Sequence, residues 1–126
     1  MLKDGRVAAR VPVRDLERSR AFYADKLGLD AAEERPGGLL YRFPNGSEFA
    51  LFESSGAASG THTQMGWDVD DIEATVAELK RRGVVFEEDD LVEVEGNYPS
   101  KGGRGERANW FRDLDGNLFG VGQRIV

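Results

Sequence analysis

The stretch that decides the fold is Ala108-Asn109-Trp110-Phe111-Arg112-Asp113-Leu114-Asp115-Gly116-Asn117-Leu118-Phe119-Gly120-Val121-Gly122-Gln123. It reads as a strand, a tight turn and a second strand. Asp115-Gly116-Asn117 supplies the turn, because Gly and Asn tolerate positive φ at little steric cost. The aromatic and aliphatic residues on either side suit a pleated, half-buried surface. An earlier copy stands upstream, where Tyr41-Arg42-Phe43-Pro44-Asn45-Gly46 aligns with Phe111-Arg112-Asp113-Leu114-Asp115-Gly116 and Phe49 then faces Phe119. A second pair of blocks agrees in the same order: Val13-Arg14-Asp15-Leu16-Glu17-Arg18-Ser19 against Val69-Asp70-Asp71-Ile72-Glu73-Ala74-Thr75. Two matches in register are the signature of a duplicated unit.

Each unit reads as strand, helix, strand, strand, strand. Residues 6–13 alternate as a strand, with Val7, Ala9, Val11 and Val13 on one face and Ala8, Arg10 and Pro12 on the other. Asp15 is the expected N-cap of a helix over Leu16–Lys26, and Gly28 its stop. An extended segment over 29–35, a strand over Leu39–Phe43, a turn at Pro44-Asn45-Gly46 and a strand over Glu48–Glu53 complete the first unit. The Ser/Gly/Ala-rich run 54–60 is the expected linker. His62–Val69 is the next strand, Asp71 caps a helix over Ile72–Arg82, and Gly83 ends it. Val84-Val85-Phe86 reads as a strand and Asp89–Gly105 as a long irregular loop. The expectation is one α+β domain over 1–126, with a first module over about 1–56 and a second over about 61–126. Side by side, the two β-α-β-β-β modules form a cup-shaped mixed sheet with the helices outside.

Composition narrows the function. With 23 acidic against 17 basic residues the net charge is −6, which disfavours nucleic acid as a partner. No apolar run approaches the roughly 20 residues needed to span a bilayer. The absence of cysteine rules out disulfides and thiolate metal sites and points to a reducing cytoplasm.

The motifs Val13-x-Asp15-Leu16-Glu17-x-Ser19-x-x-Phe22-Tyr23 with Leu27-Gly28-Leu29, Val69-Asp70-Asp71-Ile72-x-x-x-Val76-x-x-Leu79, and Phe111-Arg112-Asp113-x-Asp115-Gly116-Asn117-Leu118 resemble the vicinal oxygen chelate superfamily. That superfamily holds glyoxalase I, bleomycin-resistance proteins and extradiol dioxygenases. The resemblance covers nearly the whole chain. It implies paired modules forming an open cup, and a homodimer with two cups side by side. It also implies four metal-ligand positions, which here fall on Ala8, Ala50, Gln64 and Gly120. Three of these carry no donor side chain, whereas divalent metals in enzyme sites take about three or more protein ligands. The expectation is therefore no metal and no cofactor.

Several side chains remain as candidates for the cup. His62, the single histidine, shares the face of Gln64 and reads either as a base or ligand donor or as a solvated residue beside the linker. Arg10 shares the inner face of Ala8, where it calls for an anionic ligand or for Asp68 as a salt-bridge partner. Phe52 has the parity of Ala50 and is placed inside; between Trp110 and Phe111 the parity stays open. Phe22, Tyr23, Phe49, Trp67 and Phe119 are assigned to the core. The loop carrying Tyr98 and Lys101 reads either as a lid over the cup or as plain surface. The function expected is a metal-free small-molecule-binding protein with its ligand in the sheet concavity. The alternative is a glyoxalase- or dioxygenase-like enzyme with an atypical or absent metal site.

Overall fold

A computed structural model describes residues 1–55, 60–95 and 105–125. After a short 3-10 turn at Leu2–Asp4, the first module runs β1 (Ala9–Val13), α1 (Leu16–Leu27), β2 (Glu33–Arg35), β3 (Gly38–Arg42) and β4 (Glu48–Glu53). The second runs β5 (Met65–Asp68), α2 (Ile72–Arg81), β6 (Val92–Glu95), β7 (Gly105–Arg112) and β8 (Leu118–Ile125). Each module makes its own four-stranded mixed sheet, in the orders β1-β4-β3-β2 and β5-β8-β7-β6. The orders are equivalent, and in both the first strand pairs in parallel with the last. This is the α+β duplication that the repeated blocks imply.

The local signals explain the elements. The Asp15 carboxylate accepts from the Arg18 amide at 3.1 Å and the Asp71 carboxylate from the Ala74 amide at 3.0 Å, so both helices start at side-chain caps. Gly28 closes α1 at φ 69°, in the left-handed region that glycine occupies without strain.

One assignment is corrected. Val84-Val85-Phe86 is not a strand of the sheet; the second strand of the second module is β6, inside the stretch expected to be irregular. The cause is Asn109, which is buried in β7. Its Oδ1 accepts from the Glu88 amide at 3.1 Å and its Nδ2 donates to the Glu88 carbonyl at 2.9 Å. The Glu87 amide also donates to the Trp110 carbonyl. These bonds pin 86–88 beside β7 with only an isolated bridge at Phe86–Phe111. Val84 is buried as a plug while Val85 is 82% exposed.

The core spans both modules. Val11, Val13, Tyr23, Tyr41, Phe49 and Leu51 of the first meet Ile72, Val76, Phe111, Phe119 and Val121 of the second. Tyr23 of α1 lies against Tyr41, Phe49 and Phe119 at centroid distances of 5.7–6.4 Å. Polar contacts also join the halves, Arg82 Nη1 donating to the Asp25 carbonyl at 3.3 Å among them. The Tyr23 hydroxyl donates to Asp113 Oδ2 at 2.7 Å, Asn117 Nδ2 to the Pro12 carbonyl at 2.9 Å, and the Arg14 amide to Asp115 Oδ1 at 3.1 Å. The Asp-Leu-Asp-Gly-Asn turn at 113–117 is therefore both a hairpin and the joint between modules.

Candidate functional site

A cavity of about 550 Å³ lies on the face of the second sheet opposite its core side. Strand alternation selects its lining. Phe111, Phe119 and Trp67 point to the core, which leaves Trp110, Gly120, Gly66 and their same-parity neighbours on the open face. Gln64 and Asp68 from β5 and its approach, Glu106, Ala108 and Trp110 from β7, and Val94 from β6 surround it.

Glycines shape the floor. A Cβ on Gly120 would stand 3.2 Å from Trp110 Nε1, and one on Gly122 would stand 2.5 Å from Glu106 Oε2. The missing side chains let the indole and the carboxylate lie close against β8. A Cβ on Gly66 would stand 3.1 Å from the Gly120 carbonyl oxygen, so β5 and β8 approach closely there. Gly122→Ala is expected to swing Glu106 aside at little cost, because only the end of a flexible side chain must move. Its unfolding midpoint should stay close to that of the parent. A drop equivalent to more than about 2 kcal/mol would show instead that Glu106 is held rigidly.

The residues singled out in the sequence separate into groups. Gln64, Asp68 and Trp110 line the cavity together. Gln64 Oε1 is buried and accepts no hydrogen bond from the described residues. Phe111 does not face the cavity: it is buried in the core, stacked on Trp67 at 6.1 Å, because adjacent strand residues alternate faces. Arg10 and Phe52 occupy the open face of the first sheet, as parity requires, but that sheet contributes nothing to this cavity. Arg10 and Asp68 lie in different sheets, and no ion pair between them is found among the described residues. His62 is exposed and is not part of the lining. Tyr98 and Lys101 lie outside the described residues. Glu106 was not singled out, since it lies just past the segment read as loop; the alternation 106, 108, 110 along one strand is the signal that finds it.

The resemblance implies metal-ligand positions at Ala8, Ala50, Gln64 and Gly120. Ala8, Ala50 and Gly120 offer no donor, and the Trp110 indole lies against Gly120. Among the described residues no group of three His, Asp or Glu side chains could hold an ion. Gln64 alone is a neutral oxygen donor. No helix is long and apolar enough to cross a membrane.

A search of curated protein sequences returns no significant match. Among solved structures, the antibiotic-binding protein TnmS3 from Streptomyces sp. CB03234 is 26% identical, with 95% of this chain and 96% of that one covered at a TM-score of 0.69. A glyoxalase/bleomycin resistance protein/dioxygenase superfamily member from Sphaerobacter thermophilus is also 26% identical, over 93% and 94% of the two chains at a TM-score of 0.71. A glyoxalase/bleomycin resistance protein/dioxygenase from Alicyclobacillus acidocaldarius shares the fold at 19% identity and a TM-score of 0.74, over 98% and 93%. A sequence profile for the Glyoxalase/Bleomycin resistance protein/Dioxygenase superfamily matches residues 5–121. With its duplicated modules and this match across nearly its full length, the chain belongs to that superfamily.

Proposed function

We propose that the chain is a metal-free small-molecule-binding protein that holds its ligand in the concavity of the second sheet. The observation that carries this reading is the Trp110 indole seated on Gly120, where the superfamily would place a metal ligand. The indole N–H side of Trp110 stands there in place of a ligand carboxylate, and aromatic walls with a few polar groups suit binding better than Lewis-acid chemistry. The buried, unpaired Gln64 Oε1 favours a ligand that presents a hydrogen-bond donor, since an unmade bond at such an acceptor is costly. The likeness to an antibiotic-binding protein supports the same class of function. Occupancy of the cavity is the test of this reading. Elemental analysis after incubation with zinc, nickel, manganese or iron and desalting should return a ratio near zero. A ratio near one would overturn the metal-free reading.

Binding to a panel of cationic natural products, read by isothermal titration calorimetry, should then yield a saturating ligand. Trp110→Ala should weaken that ligand roughly 30-fold, the cost of about 2 kcal/mol for an aromatic anchor. An unchanged affinity would place the ligand elsewhere. We further propose a cytoplasmic homodimer. The open face of the first sheet bears Phe52, which is 37% exposed, beside Leu40, Ala50 and Pro12, and a second copy would cover it. Light scattering at micromolar concentration should return twice the chain mass.

A further inference from the structure

The core face of the second sheet borders a second cavity, separate from the cup. It lies where the end of α1, the end of β3 and helix α2 converge on the sheet, and measures about 170 Å³. Leu27, Leu29, Phe43, Val69, Leu79 and the Trp67 ring define it. The one lining residue with a hydroxyl is Thr75, and that hydroxyl is spent on the Asp71 carbonyl at 2.8 Å. Water held in a cavity makes two to four hydrogen bonds, and beyond the Trp67 indole N–H the lining side chains offer no free polar group to hold one. Leu27, Leu29, Phe43, Val69 and Leu79 are each half-buried, so the space is reachable from outside. Dry apolar cavities of about this size, on the order of 150 Å³, take up benzene-sized molecules.

From this lining we infer a second binding site, for a small uncharged monocyclic aromatic or similarly sized apolar molecule, on the helix side of the second sheet. Its chemistry is opposite to that of the cup. The cup offers Asp68, Glu106 and Gln64 around an indole, whereas this site offers hydrocarbon and the edges of aromatic rings. Binding here would be driven by transfer of apolar surface out of water, with shape as the selector. A ring with a charged or strongly hydrogen-bonding substituent would be rejected, because nothing in the lining would replace its water.

The chain holds two tryptophans: Trp110 lines the cup, whereas Trp67, whose strand also borders the cup, turns its ring to the core side against Phe49, Phe111 and Phe119 and lines the apolar cavity. Each site therefore has its own reporter. In Trp110→Phe protein, iodobenzene should quench the remaining Trp67 emission through its heavy atom. The quenching should saturate, with half-saturation on the order of 1 mM or below, and toluene should reverse it. In Trp67→Phe protein the same additions should leave Trp110 emission on the weak, linear course of collisional quenching. Val69→Phe combined with Thr75→Leu fills the space and should abolish saturation; Leu79→Gln, a milder change, should weaken it at least 5-fold if the filled variant does not fold. Linear quenching of Trp67, saturation unaffected by both lining variants, or exclusion of the probe by a second copy seated on the mouth would each overturn the site. Saturable quenching of Trp67 and its loss in the lining variants do not depend on whether the cup binds a ligand.

Discussion

Asp113→Ala is expected to lower stability by about 4 kcal/mol, a large share of what a domain of this size possesses. Asp113 is 7% exposed and both its oxygens are in use. Oδ1 accepts from the Asp115 and Asn117 amides at 2.9 and 3.0 Å. Oδ2 accepts from the Tyr23 hydroxyl at 2.7 Å and from Asn117 Nδ2 at 2.9 Å. Alanine would strand a phenol, two amides and a carboxamide in or near the core at once. Each buried donor left unpaired costs about 1–3 kcal/mol, and relaxation around the hole recovers part of the sum. The urea midpoint measures the effect. A loss below about 1 kcal/mol would mean that the turn, not the acid, makes the joint.

The same cluster gives alkaline pH a defined effect. Burial first, and then the charge of Asp113, hold the Tyr23 phenol well above its ordinary value. Unfolded, it releases its proton near pH 10; folded, it keeps it. Above that pH the unfolded state binds fewer protons than the folded one, so stability falls as pH rises. The fall approaches about 1.4 kcal/mol per pH unit for each such group. Burial raises Tyr41 in the same direction. Tyr23→Phe removes one of the two contributions. Its stability should decline less steeply than the parent's between pH 10 and 11, from a baseline about 2 kcal/mol lower at pH 7. Parallel slopes would assign the alkaline loss to other groups.

Phe49→Ala should cost about 4 kcal/mol by a different route, the cavity left by a ring on which four others converge. Tyr41 stacks on it at 4.7 Å with planes 3° apart. Tyr23 and Phe43 approach to 6.0 Å, and Trp67 of the other module presents an edge at 6.1 Å. Phe49 is 2% exposed, and the surrounding rings belong to β3, α1 and β5, so the hole cannot close by moving one side chain. For a chain of 126 residues the loss corresponds to a fall in melting temperature of about 15 °C. Phe49→Leu, which refills most of the space, should fall by less than half of that.

The elements governed by local chemistry were readable from the residues. Asp15, Asp71 and Gly28 sit where a cap or a left-handed residue is required, and β4 runs from Glu48 to Glu53 as alternation predicts. The two misjudged segments depend on distant partners. Val84-Val85-Phe86 has strand composition, yet Asn109, more than twenty residues away, decides that it lies beside the sheet instead. Val92–Glu95 is an acidic edge strand whose pattern is visible only against β7. Within the site, parity found Gln64, Asp68 and the indole but could not separate Trp110 from Phe111 without a fixed register. The floor was illegible for a further reason. A glycine in a strand does not reveal which neighbour occupies its vacant side, and the roles of Gly120 and Gly122 depend on Trp110 and Glu106 reaching over from β7. Arg10 and Phe52 had the correct face, but strand parity carries no information about whether two sheets share one hollow.

The contacts that join the two modules run through space and not through the peptide between them. Tyr23 reaches Asp113, Asn117 reaches Pro12, Arg14 reaches Asp115, and Phe49 meets Trp67. Covalent continuity between Ser55 and Gly60 is thus not what keeps the halves in register. Two polypeptides, one ending and the other beginning in that interval, should find each other and rebuild the aromatic joint. The duplication would then behave as a complementing pair of fragments, each half being the template on which the other completes its core.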